Sequence, residues 1–491
     1  MKTDSGTPAV PPCIRRLAVP AAPYSGVSER DHRHDPPQIR QGVVSPRRHP
    51  PRPAPGGPGN PRDTVVTGLG FCLPGGAEPV FTAAQVWDIA SHGRTVLGHH
   101  GIHYGSVHLS AEQFAERLPD VPEFFSRHYT NAHRYGLVSL VEACADAELD
   151  LAAGELGEAA LLAGRGSVDA NVDSYLTLLG IDPDSATTLD ALEMFVAAEQ
   201  AVSPSDVAVV QGALTRTVGP CFTVSCGCSS AAVQIGNARR LIATGETDLA
   251  VVTGVDVFNV DLIRKGQRLL HGAQHAYDGM DAAGMPDLLP SFDSLMRPYD
   301  RRADCINHGE GSATVVLESR EHAARRGAHL YGQVLAAAMT RDGLANPLAA
   351  DDSGAQLARA VRLCLGDRWR IEQVPYINGA SDGGAAVTAL EANTIRELYG
   401  PDPTVLMSSQ EGCFGHHGSP AGCLGLALTL MMMEFGEVCP TANCEQPADG
   451  LPFDPVPGTR TRPLDFDHAL SFNYQIGGVK HAMLLGGPDA T

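Results

Sequence analysis

The sequence predicts an α/β fold, with a largely parallel sheet covered by helices on both faces, and three observations carry that reading. Short apolar runs that end in glycine recur at Thr64-Val65-Val66-Thr67-Gly68, at Ala159 to Gly164 and at Leu249 to Gly254. Segments with helical spacing separate them, and parallel strands joined by crossover helices satisfy that alternation. A second series of strand-like runs follows from about Leu330. Two α/β halves are therefore expected, 63–325 and 326–491, after a leader at 1–62.

Residues 1–62 hold 14 of the 36 prolines and ten Lys and Arg against four Asp and Glu. Such a stretch cannot bury enough apolar surface to fold. It reads as a disordered Pro/Arg-rich leader, with a basic docking tail as the alternative, and it lacks the apolar core of a secretory signal. The whole chain of 491 residues carries −20, so the +6 of the leader leaves −26 on the remainder. That acidity argues against a nucleic-acid footprint.

From Asp63 the elements follow in order. The strand at 64–68 comes first. Ser110 and Gln113 form a capping-box helix start, and Leu137, Leu140, Val141 and Cys144 share one helical face. The strand at 159–164 precedes a helix through Ile235, Ala238 and Leu241 that stops near Gly245, and the strand at 249–254 follows. In the second half, strands are expected near Pro375-Tyr376-Ile377, Thr404-Val405-Leu406 and Ala482 to Leu485. The longest apolar run, Leu424 to Met433, is far short of the roughly 20 residues of a membrane span and reads as a core helix. No membrane partner is expected.

Twelve cysteines without a signal peptide indicate reduced thiols in a cytoplasmic protein. Cys226/Cys228 and Cys439/Cys444 have no His or Cys partners at zinc-site spacing, so no metal is expected. A G-x-G-x-x-G turn fails twice, at Leu73 and at Asp169, and no phosphate loop is present. No nucleotide or other cofactor is expected.

The chemistry-bearing segment is Gly219-Pro220-Cys221-Phe222-Thr223-Val224-Ser225-Cys226-Gly227-Cys228-Ser229-Ser230-Ala231-Ala232-Val233. A cysteine at such a helix start feels the positive end of the helix dipole, which favours thiolate and hence a nucleophile. Cys228 is the candidate, and a cysteine merely packed in a small-residue turn is the alternative.

This block resembles the nucleophile region of the β-ketoacyl synthase (condensing enzyme) family of the thiolase superfamily. Further blocks in order carry the resemblance over nearly all of 63–490: Val65 to Gly70, Gly245 to Ala250 with Gly254, Arg297-Pro298-Tyr299-Asp300, Gly309-Glu310-Gly311-Ser312-Ala313, Gly415-His416 and Ile476-Gly477-Gly478. The resemblance implies a thiolase-like duplicated five-layer αβαβα fold. It implies an active-site cysteine acylated from an acyl carrier protein or acyl-coenzyme A, and a homodimer or a heterodimer with another ketosynthase.

The family site adds two histidines and a lysine, and this sequence departs from that set. Ala380 stands where the first histidine is expected, within Tyr376-Ile377-Asn378-Gly379-Ala380-Ser381-Asp382, and removes a hydrogen-bond donor worth on the order of 10²–10³ in rate. His416 takes the place of the second histidine, with His417 as a structural neighbour. Glu411 replaces the lysine. Three readings of Glu411 stay open: a carboxylate pair with Glu310, a solvent or arginine partner, and the third member of a Cys-His-acid arrangement with His416. The N–H groups of Cys228 and Ile476 are expected to form an oxyanion hole, and Ala380, Gly477 and Gly478 to line the substrate site. The stretch between Asn259 and Arg297 looks long for the family and is either a lid or a surface insertion.

The leading expectation is a ketosynthase-like acyltransferase of polyketide, fatty-acid-like or other natural-product biosynthesis, working through a thioester on Cys228 with His416 as base. Decarboxylative condensation in a rearranged site is the second. A catalytically silent partner resembling a chain-length factor is the third.

Overall fold

The computed structural model describes residues 60–99, 101–119, 121–166, 206–261, 263–265, 293–345, 351–400, 403–475 and 477–490, with isolated positions between 180 and 192. The expected leader lies outside the described residues except for its last three, and most of the stretch between Asn259 and Arg297, read as a lid or a surface insertion, does too.

The first half runs β1 (Thr64–Cys72), α1 (Asn131–Asp146), β2 (Ala160–Gly164), α2 (Asp206–Thr215), β3 (Cys221–Val224), α3 (Ser230–Thr244), β4 (Leu249–Asp256) and β5 (Gly311–Ser319). The second runs β6 (Gly332–Arg341), α4 (Ala355–Leu365), β7 (Tyr376–Asn378), α5 (Ala385–Tyr399), β8 (Leu406–Ser408), α6 (Ala421–Phe435), β9 (His468–Gln475) and β10 (Val479–Gly486). The strand order is β1-β5-β4-β2-β3 in one half and β6-β10-β9-β7-β8 in the other. One topology occurs twice. The two five-stranded sets join edge to edge where β1 pairs with β6, at Val65 with Gln333 and Val66 with Gly332.

The expectation of a largely parallel sheet is corrected: each half is mixed. β2 pairs parallel with both β3 and β4, but β5 runs antiparallel to both β4 and β1. In the second half β7 is parallel to β8 and β9, while β10 is antiparallel to β9 and β6. In the second half the cause is the short direct connection from β9 to β10, which reverses the chain.

Helices α3 and α6 contact each other and both sheets. They form a middle layer whose core includes Ala232, Ile235, Leu426, Ala427 and Leu430. Close contact is possible because small residues face each other: a Cβ on Gly422 would lie 2.5 Å from the Ala232 nitrogen. α1 and α2 cover the outer face of the first sheet, and α4 and α5 that of the second, each over its own apolar cluster. The result is five layers, αβαβα. Leu137, Leu140, Val141 and Cys144 are buried on α1, and the Ser110/Gln113 capping box forms as expected. Both middle helices start at the C-terminal ends of short parallel strands, where their N-termini frame one cleft.

Candidate active site

Cys228 stands two residues before α3, in a turn held by the Ser230 hydroxyl, which accepts the Cys226 N–H at 2.8 Å and donates to the Gly227 carbonyl at 2.6 Å. The thiol is thereby fixed at the positive end of a 15-residue helix. Cys226 turns elsewhere and donates its S–H to the Gln475 side-chain oxygen at 3.1 Å. Burial, reinforced by Cys228, pushes the Cys226 thiol up.

His416 comes from the other half. It follows a single helical turn, Glu411–Phe414, and Gly415, whose φ of +91° swings the chain out of that turn. The His416 N–H donates to the Asn307 carbonyl at 2.8 Å and its carbonyl accepts the Gly309 N–H at 3.1 Å, so the residue is clamped beside the turn that opens β5. From there its Nε2 lies 3.0 Å from the Cys228 sulfur, and its Nδ1 lies 2.8 Å from Glu411 Oε2. Cys228, His416 and Glu411 thus form one continuous relay, although 188 residues separate the first two in sequence.

The electrostatics follow from burial and sign. Burial pushes the Glu411 carboxyl up, and the positive charge of His416 pulls it back part of the way. For His416, burial opposes the charged ring, but Cys228 and Glu411 outweigh it and hold its pKa well above the ordinary histidine value. The arrangement therefore biases His416 toward its charged form. The paired-carboxylate reading of Glu411 fails. Glu310 instead accepts the Val107 N–H at 2.9 Å and the Tyr135 hydroxyl at 3.2 Å, and it serves the fold next to β5.

Ala380 lies on the loop after β7, and its N–H donates to Glu391 at 2.8 Å. Glu391 also accepts the hydroxyls of Tyr299 at 2.7 Å and Tyr474 at 2.9 Å, and burial raises its pKa to about 7. A cavity of about 20 Å³, room for one water, opens beside Ala380 and is lined by Asn378, Glu411, His417 and Asn473. His417 packs against Phe414 and is held neutral by burial, at about 3. Gly477 and Gly478, both at positive φ, form the turn between β9 and β10. A Cβ on Gly478 would meet Asp342 at 2.8 Å, and that carboxylate is paired with the buried Lys480. Ile476 lies outside the described residues.

One residue near the relay was missed by sequence reasoning. His308 precedes the Gly309-Glu310-Gly311 block, pairs its backbone with His416 and sets its ring edge-on to the His416 ring at 5.9 Å between centroids. The Phe258 ring lies tilted against it at 5.0 Å between centroids. The only signal in the sequence was a histidine directly before a matched glycine block, and nothing local ties it to Cys228. Among the described residues no cluster of three His, Cys, Asp or Glu side chains could hold a metal, and no helix is long and apolar enough to cross a membrane.

Comparison with known proteins follows the same division of the chain. The model of the β-ketoacyl synthase N-terminal domain matches residues 62–323, and that of the C-terminal domain matches residues 331–445. The tetracenomycin polyketide synthase ketoacyl synthase alpha subunit of Streptomyces glaucescens is 27% identical over 441 residues, covering 87% of this chain and 97% of its own. Among solved structures, the ishigamide ketosynthase/chain length factor aligns over 87% of this chain and 99% of its own, with a TM-score of 0.66 at 23% identity. A type II PKS acyl-carrier protein in complex with its ketosynthase aligns over 88% of this chain and 100% of the matched one, with a TM-score of 0.68 at 20% identity. Matched in both halves, and folded as one duplicated five-layer unit, the chain belongs to the β-ketoacyl synthase family.

Proposed function

We propose that the chain is a ketosynthase-like acyltransferase of polyketide biosynthesis that moves an acyl group through a thioester on Cys228. The observation that carries this reading is the relay in which His416 bridges Cys228 at 3.0 Å and Glu411 at 2.8 Å. In the loading step the Cys228 proton passes to His416 Nε2, the thiolate attacks the acyl thioester, and the carrier thiol leaves with the proton returned by His416. In the transfer step His416 takes a proton from the acceptor, whose attack on the acyl carbonyl releases the Cys228 thiolate. Glu411 holds the ring in the tautomer that keeps Nε2 facing the sulfur.

The Cys228 N–H and that of Ile476 are proposed as the oxyanion hole, with the Gly477-Gly478 turn setting the second group and Ala380 bordering the acceptor side. The kinship with the tetracenomycin subunit, and the fold shared with a ketosynthase held by an acyl-carrier protein, support a carrier-borne substrate in the cytoplasm. The ishigamide pair supports a dimer with a second ketosynthase-like chain. β3 is the open edge of the first sheet and exposes Cys221 and Phe222, and an apolar edge of that kind needs a partner.

Intact-protein mass spectrometry after incubation with hexanoyl-coenzyme A tests the proposal. The expected result is one hexanoyl adduct that maps to Cys228. No adduct with hexanoyl-coenzyme A or with an acylated carrier protein would favour the silent partner. Rapid carbon dioxide release from malonyl carrier protein would favour condensation over transfer.

A further inference from the structure

The relay gives Cys226 no part, although it stands a single residue from Cys228. The two are the first and third residues of a closed turn: the Ser229 N–H donates to the Cys226 carbonyl at 3.1 Å, and Gly227 between them holds φ +50°. A side chain has no room at that position, because a Cβ on Gly227 would lie 2.6 Å from the Gln475 side chain. Two residues span at most about 7 Å when fully extended, and the turn shortens that span. The Cα atoms of the two cysteines therefore fall within the range of about 4.4–6.8 Å over which a disulfide closes.

Access and charge single out this pair. Of the eleven described cysteines eight are buried, so the pair is half-open to a small oxidant where most thiols of the chain are not. Cys221 is exposed, but its S–H is given to the Ala208 carbonyl at 3.0 Å. His416, biased to its charged form and 3.0 Å from the Cys228 sulfur, favours the thiolate there. Burial first, and Cys228 second, push the Cys226 thiol up, so it keeps its proton while Cys228 reacts. One cysteine is set to meet an electrophile and its neighbour to follow, which is the layout of a sensing and a resolving thiol.

We propose that Cys226 and Cys228 form a reversible regulatory disulfide, in which hydrogen peroxide oxidises Cys228 and Cys226 resolves the product. In the first step the Cys228 sulfur attacks a peroxide oxygen. An S–O bond forms, the O–O bond breaks, Cys228 becomes a sulfenic acid, and the departing hydroxide takes the His416 proton and leaves as water. In the second step the Cys226 sulfur attacks that of Cys228. The S–S bond forms, the S–O bond breaks, and hydroxide leaves with the Cys226 proton as a second water. The two thiols together lose two electrons, which the peroxide gains, and a dithiol reverses the change. The sulfurs turn to each other about their own Cα–Cβ bonds and give up Gln475 and His416. While the disulfide stands, the nucleophile is closed to acylation and protected from irreversible oxidation to sulfinic acid.

The test treats the native protein, Cys226→Ser and Cys221→Ser with excess hydrogen peroxide and then with dithiothreitol. Intact mass, and loading from hexanoyl-coenzyme A, are read at each stage. In the native protein we expect a loss of about 2 Da, placed between Cys226 and Cys228 by tandem fragmentation, and near-complete return of loading after dithiothreitol. Cys226→Ser keeps a hydroxyl for Gln475 and should load normally before peroxide. After peroxide it should pass on to the sulfinic acid, a gain of about 32 Da, and regain on the order of tenfold less loading than the native protein. Cys221→Ser should behave as the native protein does. A link that includes Cys221, or recovery in Cys226→Ser equal to the native level, would overturn the proposal. The acyl-transfer reading fails separately: if the untreated native protein takes no hexanoyl group, iodoacetamide labelling of Cys228 replaces loading as the readout, and the same outcomes decide.

Discussion

At Cys228 the choice between two cysteines a residue apart is made by direction. Cys226 spends its S–H on Gln475 and is pushed up by burial, whereas Cys228 faces an imidazole at the head of α3. Cys228→Ala should therefore remove the fastest-labelled iodoacetamide site at neutral pH, leaving only slower reaction at thiols such as the exposed Cys221, and Cys226→Ala should leave that fast site intact, as peptide mapping would show. Label found on Cys226 in the native protein would reverse the assignment. Glu411 makes a second prediction of definite sign. Its negative charge helps raise His416, so Glu411→Gln must lower the His416 pKa, and the imidazolium should be lost at lower pH than in the native protein. A proton titration of His416 by nuclear magnetic resonance measures this. An unmoved midpoint would mean that Glu411 does not act on the ring. Cys228, His416 and Glu411 could be named from sequence because each sits in a short matched block. His308 could not, because its partners arrive from distant segments.

Among the elements, the turn Glu411–Phe414 and Gly415 decide whether His416 reaches Cys228. Gly415 adopts φ +91°, and a Cβ there would lie 2.8 Å from the Gly309 nitrogen and 2.9 Å from the His308 carbonyl oxygen. Gly415→Ala must therefore spread the backbone pair that holds both imidazoles. We expect a loss of about 1–3 kcal/mol in stability and a larger proportional loss of Cys228 acylation, measured by denaturant unfolding and by mass spectrometry on the folded fraction. A variant with native acylation would show that the clamp is dispensable. The same scale shows why the sheet was misread. β1, β2, β4 and β10 are runs of small and aliphatic residues and were visible, at least in part, whereas β9 mixes His468, Ser471 and Asn473 with its apolar positions. β5 begins on the Gly311-Ser312-Ala313 block, and its first residues read as a motif. Ser312, Thr314 and Ser319 are buried there by hydroxyl hydrogen bonds, which no periodicity reveals. Missing β5, which runs antiparallel to both of its neighbours, made a mixed sheet look parallel.

For the whole molecule, duplication places Cys228, the proposed nucleophile, on one half and His416, the proposed base, on the other. Protonation of the molecule gives a pH signature. His308 and His417, at about 3, and His481, at about 4, are buried neutral, while an unfolded histidine titrates at about 6.5. Burial is the leading cause for all three. The unfolded chain thus binds more protons between about pH 4 and 6.5, and stability present above pH 6.5 is lost as the pH falls. Glu391, raised to about 7, and Glu411, which burial also raises, work the other way. Burial lowers His103 and His468 as well, so that below pH 6.5 five groups stand against two. The melting temperature should fall from pH 7 to pH 5, and His481→Leu, outside the site, should flatten that slope by up to about 1.4 kcal/mol per pH unit. An unchanged slope would contradict the account of buried neutral histidines.

The central claim is that Cys228, His416 and Glu411 act as one acyl-transfer relay, and single-turnover kinetics test it most directly. Loading of Cys228 from hexanoyl-coenzyme A and its discharge to N-acetylcysteamine are timed separately in the native protein, His416→Ala and Glu411→Gln, from pH 6 to 9. The account predicts that His416→Ala still loads measurably but does not discharge, and that Glu411→Gln slows discharge more than loading. Discharge at the native rate in Glu411→Gln across that range would contradict it and leave Cys228 and His416 acting alone.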